Sequence, residues 1–353
     1  MGLDWNALDA SGTATNRVTL LKNAAGITLS NHTPGKVKSK INSAGTTEYN
    51  IDVLKDNLNK ITDITYEGYQ FKGVTQATTV MDGTNKDAFG GRSKAGNTTT
   101  GNTITVSDAA TYRNIYGGWT NGAGSEAAAD KQKDSTLNKV TVNGSASVMG
   151  TVYGGFSDVA DGKATSNEVT IEKNLAANVV GGEAKGEASG NIVTVSANAN
   201  TVTGGKSTGD ASGNIVNLAN ATIANVTGGE GATTNNNTIN LNGNAQIAGT
   251  LTGGSQANGT GNTLNVKGKD NKAGTISNVQ NMNFDATGLA KGDTMLEATD
   301  AGETTVDWTN LKASGMATKP LTLLKNTHGI NLAGYTGAAK SPKSPTRATS
   351  SRA

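Results

Sequence analysis

The fold of this chain is decided by the stretch NIVTVSANANTVTGGKSTGDASGNIVNLANATIANVTGG, residues 191–229. In it, NIVTV at 191–195 recurs as NIVNL at 214–218, and the double glycine at 204–205 recurs at 228–229. Apolar residues alternate with Thr or Asn in each segment, which is the pattern of a short strand with one buried face. Gly and Asn between the segments supply the positive φ angles of turns. Each unit of 23 to 24 residues therefore predicts short strands joined by tight turns.

Two sequence markers carry this period along the chain. The first is a double glycine, found at 90–91, 117–118, 154–155, 181–182, 204–205, 228–229 and 253–254. The second is an asparagine followed by alternating apolar residues, found at Asn102, Asn138, Asn167, Asn191, Asn214, Asn237 and Asn262. Because one unit cannot bury its apolar face alone, units that repeat in phase bury it by stacking. We therefore predict an all-β chain that forms a right-handed parallel β-helix (a β-solenoid) of roughly 24-residue coils.

The stacked coils predict two columns of side chains. Val195, Leu218, Leu241 and Val266 hold the same place after the repeated asparagine, and we expect them to stack inside one apolar column. The asparagines themselves would stack at one corner, where each amide can bond to the next in a ladder. The alternative is that asparagine merely tolerates the turn conformation. Neither interpretation makes these asparagines catalytic.

A longer repeat frames the coils. Residues 3–31 and 306–334 are identical at 16 of 29 positions, including the blocks DW, TLLKN and GI. Because the chain begins and ends inside this motif, we expect open strand edges at both ends. The predicted divisions are a β-rich N-terminal segment at 1–80, a solenoid of about seven repeats at 81–285, a post-repeat segment with the second long-repeat copy at 286–340, and a disordered basic tail at 341–353.

The composition argues against several kinds of site. The chain has no Cys, which excludes disulfides and thiolate metal sites. It has 2 His, which leaves little room for histidine-based metal sites or catalysis. Its 30 basic and 28 acidic residues give no support to a nucleic-acid partner. Neither a membrane-spanning apolar run nor a signal peptide is seen in the sequence. We therefore predict no catalytic residues, no metal ligands and no cofactor.

Four aromatic residues form the candidate ligand contacts. Tyr116 and Trp119 flank one double glycine, and Tyr153 and Phe156 flank the next. Stacked on adjacent coils, these rings would form a ladder able to pack against a sugar or a protein partner. The alternative is internal stacking that stabilises two unusually wide coils. Both interpretations remain open at this stage.

Three segments carry a resemblance to a known class of proteins. They are YGGFSDVADGKATSNEVTI at 153–171, VTGGKSTGDASGNIVNL at 202–218 and ISNVQNMNFDATGLAKGDTMLEAT at 276–299. These segments resemble the passenger regions of large autotransporter adhesins, the type V secreted proteins of Gram-negative bacteria. The resemblance implies a β-helical passenger involved in adhesion or aggregation, at the cell surface or outside the cell as part of a longer protein. The implied partners are host glycans, host surface proteins or further copies of the chain.

Three functions compete on this basis. The first is a non-enzymatic adhesive passenger that acts through many weak surface contacts. The second is a passive structural spacer with no ligand. The third, a polysaccharide-acting β-helix enzyme, would require clustered carboxylates, whereas residues 186–266 carry three, namely Glu187, Asp210 and Glu230. All three are predicted to lie in turns.

Overall fold

A computed structural model describes residues 1–10, 14–33, 38–41, 47–70, 78–82, 85–93, 98–107, 109–120, 134–315 and 320–336. The regular secondary structure of this part of the chain is β-strand, apart from one short 3-10 helix at Trp308–Asn310. Most strands belong to two long sheets in which successive coils pair in parallel. The predicted all-β solenoid is therefore confirmed. No helix among the described residues is both long and apolar enough to cross a membrane.

The first long sheet has nine strands, one from each successive coil. Its strands are β10 (Thr103–Val106), β13 (Lys139–Val142), β16 (Glu168–Ile171), β18 (Ile192–Val195), β20 (Ile215–Leu218), β22 (Thr238–Asn242), β24 (Thr263–Lys267), β26 (Asn281–Asp285) and β29 (Leu311–Ser314). Each strand pairs in parallel with the strand of the next coil, residue for residue. Every second residue consequently points into the solenoid.

The second long sheet has twelve strands and carries six of the seven double glycines, all except 253–254. Its strands are β7 (Thr78–Asp82), β8 (Asn85–Ser93), β11 (Thr111–Thr120), β14 (Ser147–Val148), β15 (Thr151–Ser157), β17 (Asn178–Ala184), β19 (Ala199–Ser207), β21 (Thr222–Glu230), β23 (Gln246–Thr252), β25 (Asn271–Ser277), β27 (Thr294–Ala298) and β30 (Thr322–Asn326). Only β7 pairs antiparallel in this sheet, against β8.

The core lies between these two sheets and is a stack of aliphatic side chains. The expected column is present: Val195 pairs with Leu218, Leu218 with Leu241, and Leu241 with Val266, and all four are buried. One buried cluster extends from Ala88 to Leu324. The stacking thus continues through β27, β29 and β30, past the boundary that the sequence placed at residue 285.

Short pairings complete the coils. β9 (Thr99–Thr100) pairs with β12 (Ser135–Thr136), and β28 (Thr304–Asp307) pairs in parallel with β31 (Ile330–Ala333). Isolated bridges continue the first pairing from Lys163 to Glu187 and from Glu187 to Asp210. The β9–β12 pairing and the isolated bridges lie at the turn that follows the double glycine.

The N-terminal segment has its own core. β1 (Gly2–Asp4) pairs with β3 (Thr28–Ser30), and a four-stranded antiparallel sheet runs in the order β2 (Ala14–Lys22), β6 (Ile61–Gln70), β5 (Thr47–Lys55) and β4 (Lys38–Ile41). Because β6 pairs along β2, the expectation of a fully open strand edge at this end is wrong. The predicted tail at 341–353 lies outside the described residues.

Candidate functional site

One corner of the solenoid is formed by the seven repeated asparagines. At each step the backbone N–H and the side-chain Nδ2 of one asparagine both donate to Oδ1 of the next, at 2.8–3.2 Å. All seven are buried: Asn102, Asn138, Asn167, Asn191, Asn214, Asn237 and Asn262. Beyond the last of them, Gln280 Oε1 accepts from the Asn262 N–H at 3.0 Å. The repeat asparagines therefore form an amide ladder that joins consecutive coils.

A left-handed residue precedes each asparagine of the ladder. The seven φ angles lie between 54° and 71°, at Gly101, Leu137, Ser166, Gly190, Gly213, Asn236 and Gly261. Glycine and asparagine adopt this conformation at the least steric cost. The turn ends there, and the following asparagine begins the next strand with its amide directed inward.

The double glycines pack directly against the ladder. A Cβ atom on Gly204 would lie 2.7 Å from Cβ of Asn214, and one on Gly205 would lie 2.6 Å from Nδ2 of the same asparagine. A side chain at either position would have to displace the ladder. The two sequence markers thus stay in phase because they are the two sides of one contact across the corner.

The aromatic residues lie on the outer face of the sheet beside this corner. Tyr116 precedes the double glycine of β11 and Trp119 follows it, while Ile115 and Thr120 are directed inward and are fully buried. The glycines face Asn138 in the ladder, so both rings are left on the outer face. In β15, Tyr153 pairs with Tyr116 and Phe156 pairs with Trp119. The four predicted rings therefore come together.

A fifth ring, which the sequence analysis missed, completes the cluster. Phe89 of β8 pairs with Tyr116, and the two rings stack at 5.2 Å between centroids and 7° between planes. Tyr116 stacks in turn on Tyr153 at 5.0 Å and 7°. The signal was present in the sequence, because Phe89 precedes the double glycine at 90–91 as Tyr116 precedes its own.

A second column of side chains flanks this stack. Trp119 lies 5.4 Å from Phe89 and 5.4 Å from Tyr116 between ring centroids. The guanidinium of Arg92 lies 4.4 Å from the Trp119 centroid, a cation–π geometry. Phe156 stands edge-on to Tyr153 at 5.1 Å and 64°. We call Phe89, Tyr116, Trp119, Tyr153 and Phe156 the aromatic platform.

Burial divides the platform into a base and a surface. Phe89 is 1% exposed and Tyr116 is 8% exposed, whereas Trp119, Tyr153 and Phe156 are half-buried. The Tyr116 ring is stacked between Phe89 and Tyr153, so it offers little surface to a ligand. Its burial also raises the pKa of its hydroxyl, helped by the negative charge of Asp87. The three half-buried rings are the ones that a partner can touch.

The platform ends where charged residues take over the outer column. Phe156 is followed in register by Glu183, then Lys206, then Glu230. Lys206 pairs with Glu230 at 3.5 Å. Desolvation raises the pKa of Glu183, which lies half-buried beside the rings. The aromatic surface is thus confined to the coils of β8, β11 and β15.

The turn carboxylates form a separate group. Glu187 forms an ion pair with Lys163 at 2.7 Å, and the Ser189 hydroxyl also contacts the Glu187 carboxylate. Hydrogen bonding to Lys163 and to Ser189 lowers the pKa of Glu187. Asp210, on the next coil, accepts from Ser212 at 2.5 Å. A general acid for glycoside cleavage needs a raised pKa, so Glu187 has the opposite property.

No protein-family model matches the chain, and neither the curated proteins nor the solved structures contain a match to it.

Proposed function

We propose that this chain is a non-enzymatic binding segment of a cell-surface or secreted protein, in which the β-solenoid holds the aromatic platform as an adhesive surface. One observation carries the proposal: the half-buried rings of Trp119, Tyr153 and Phe156 stand on the buried rings of Phe89 and Tyr116. Large apolar rings left accessible in a patch of this kind are typical of surfaces that bind a partner.

The platform is ordered before any partner arrives. Stacking at 5.0–5.4 Å fixes the rings, and the backbone beneath them is held by the asparagine ladder. Binding therefore loses little side-chain entropy, which is a main reason why aromatic residues dominate many interfaces. Their faces suit the apolar face of a sugar ring or a hydrophobic patch on a host protein.

Adhesion would come from many such contacts at once. A single platform of three accessible rings gives a weak contact, but copies displayed together on one surface multiply it through avidity. The resemblance to autotransporter passengers supports this display at a bacterial surface. Host glycans and host surface proteins are accordingly the partners that we propose.

The test compares matched variants of the full chain on coated beads. Trp119→Ala combined with Phe156→Ala removes two accessible rings, and Ile192→Ala, at a site 38% exposed on the nine-stranded sheet, controls for exposed apolar surface. Loss of interface aromatics commonly costs about 2 kcal/mol or more each. We expect attachment to mucin-coated surfaces and host cells to fall about tenfold or more for the double variant, with an unchanged β-sheet circular dichroism spectrum.

Other outcomes would contradict the proposal in distinguishable ways. A folded double variant that attaches like the wild type would place adhesion elsewhere. A wild-type chain that attaches to no glycan or cell would favour a passive spacer. Product release from a panel of polysaccharides would favour an enzyme.

A further inference from the structure

The two copies of the long repeat fold into the same unit. In the first unit, residues 1–33, Leu3 pairs in parallel with Leu29; in the second, residues 304–336, Val306 pairs with Leu332. These four positions correspond across the repeat. We call the two copies the first and the second end unit.

The side chains around the tryptophan that both repeat copies share also correspond. Trp5 meets His32 edge-on at 4.9 Å and 79°, and Trp308 meets Tyr335 edge-on at 5.0 Å and 76°. His32 and Tyr335 occupy the same position of the repeat. A different ring thus keeps the same contact, which supports a common structure for the two end units.

The second end unit stacks on a preceding coil. Its strand β30 pairs in parallel with β27, and Thr322 N–H donates to Asp293 O at 2.9 Å. The backbone N–H groups of alternate residues in a strand point to the same edge, so the N–H groups of Leu324 and Asn326 also face β27. Leu324 is buried in the main core. We call the side of the strand that faces β27 its leading edge.

In the first end unit an antiparallel strand takes the place of that coil. Asn23 corresponds to Asn326, and its N–H donates to Thr62 O of β6 at 2.9 Å. Leu21, which corresponds to Leu324, pairs with Ile64 of β6. The leading edge that carries a parallel coil in one end unit is therefore covered by β6 in the other.

The apolar surface beneath that edge is covered by the same segment. Trp5 and Ile27 pack with Tyr49, Ile51 and Ile64 of β5 and β6 in a core separate from that of the solenoid. Polar contacts hold the segment in place: Lys38 Nζ donates to Trp5 O at 2.9 Å and Asn6 O at 3.0 Å, and the Tyr49 hydroxyl contacts the Asp9 carboxylate. Strands β4–β6 thus supply what a preceding coil would supply.

We propose that strands β4–β6 form a displaceable cap, and that the leading edge beneath them accepts the second end unit of another copy of this chain. The trailing edges of β29, β30 and β31, which face away from β26–β28, pair with no strand among the described residues. Half-buried Leu323, Ile330 and Leu332 border these edges. Stacking one end unit on the other continues both the hydrogen bonds and the apolar column, so uncapped chains join end to end.

The experiment uses the full chain and measures mass by light scattering over a range of concentrations. Lys38→Met with Tyr49→Phe weakens the cap while keeping its apolar contacts, and Ile64→Pro breaks the β6 pairing outright. A heterologous contact that does not close forms open chains of molecules. We expect the mean mass to rise about twofold or more in either cap variant.

Leu323→Pro is the variant designed to block stacking at the trailing edge. Leu323 N–H points away from β27, so proline there removes a donor of the trailing edge and spares the pairing inside the chain. Added to a cap variant, it should return the mass to the wild-type value. Two results would overturn the proposal: cap variants that both keep the wild-type mass, or a mass increase that Leu323→Pro does not reverse.

Discussion

Asn214 Oδ1 accepts two hydrogen bonds from Asn191, one from its backbone N–H and one from Nδ2, each at 3.0 Å. The two residues lie in consecutive coils, and both are fully buried. A buried donor that loses its partner cannot turn to water, so this step of the ladder should contribute strongly to stability.

Replacing Asn214 with alanine tests that contribution. The change leaves the buried Asn191 backbone N–H without its partner and removes one of the two bonds of Asn191 Nδ2, which keeps its bond to the Ala164 carbonyl oxygen at 2.9 Å. At about 1–3 kcal/mol for each lost bond, we expect the free energy of unfolding in urea to fall by about 2–4 kcal/mol. The control is Asn217→Ala in the same coil. Asn217 is half-buried and bonds to Thr194 and Asn240 at 3.2 and 2.7 Å on the outer face. Water replaces those bonds, so a loss below about 1 kcal/mol is expected there. Equal losses of unfolding free energy in the two variants would mean that the buried ladder bonds stabilise the fold no more than the half-buried ones.

The contact between glycine and ladder gives a second prediction. On Gly205, an added Cβ would lie 2.6 Å from Asn214 Nδ2 and would also clash with the Ala188 carbonyl oxygen. Gly205→Ala should therefore destabilise the chain by about 3 kcal/mol or more, because backbone and ladder must both shift. Gly213→Ala is the control: φ is +66°, and a Cβ would meet nothing within 4 Å. It should cost about 1–2 kcal/mol from backbone strain alone. The free energies of unfolding in urea of the two variants test this prediction. A smaller loss for Gly205→Ala than for Gly213→Ala would contradict it.

The coils were predictable because every coil repeats the same local pattern. Val195 and Leu218 follow a repeat asparagine at equal distance, so their pairing could be inferred without knowing any long-range contact. The asparagine ladder follows from the same equivalence. Where the period is regular, sequence position and spatial position carry the same information.

Features outside the period could not be predicted in this way. The pairing of Leu21 with Ile64 joins β2 to β6 in antiparallel fashion. It depends on tertiary packing, and no repeat in the sequence indicates it. The sequence left open whether Tyr116 is buried, because its burial depends on Phe89, one coil earlier, in a stretch where the asparagine marker begins only at Asn102. Residues 121–133, in one of the two wide coils, lie outside the described residues.

Leu137 offers a stabilising substitution. It precedes Asn138 in the ladder with φ 56°, and its side chain is 63% exposed. A non-glycine residue with an ordinary side chain pays roughly 1–2 kcal/mol in this conformation, whereas asparagine, found at the equivalent position 236, tolerates it. We expect Leu137→Asn to raise the free energy of unfolding by about 1 kcal/mol. Ile192→Asn, at another exposed apolar site but within a strand, should give no gain. A loss of stability in Leu137→Asn would contradict the argument from the turn.

Two glutamates on the twelve-stranded sheet should show opposite dependence on pH. Burial raises the pKa of Glu183 above its ordinary 4.5, whereas the hydrogen bond to Lys325 is the main cause that lowers the pKa of Glu297 below 4.5. The native state therefore disfavours the charged form of Glu183 and favours that of Glu297. The carboxylate of Glu183 destabilises the fold increasingly as pH rises through its raised pKa, and that of Glu297 stabilises the fold above its ordinary pKa.

The measurement is the melting temperature of Glu183→Gln and Glu297→Gln from neutral pH to below pH 4.5. At neutral pH, Glu183→Gln should melt above the wild type and Glu297→Gln below it, because glutamine removes a cost in one case and an ion pair at 2.6 Å in the other. The advantage of Glu183→Gln should vanish once pH falls below 4.5, where the carboxyl is protonated in both states. The deficit of Glu297→Gln should close at still lower pH, as its own lowered pKa is passed. If Glu183→Gln, like Glu297→Gln, melts below the wild type at neutral pH, the attraction of Glu183 to Lys206 outweighs the effect of its burial.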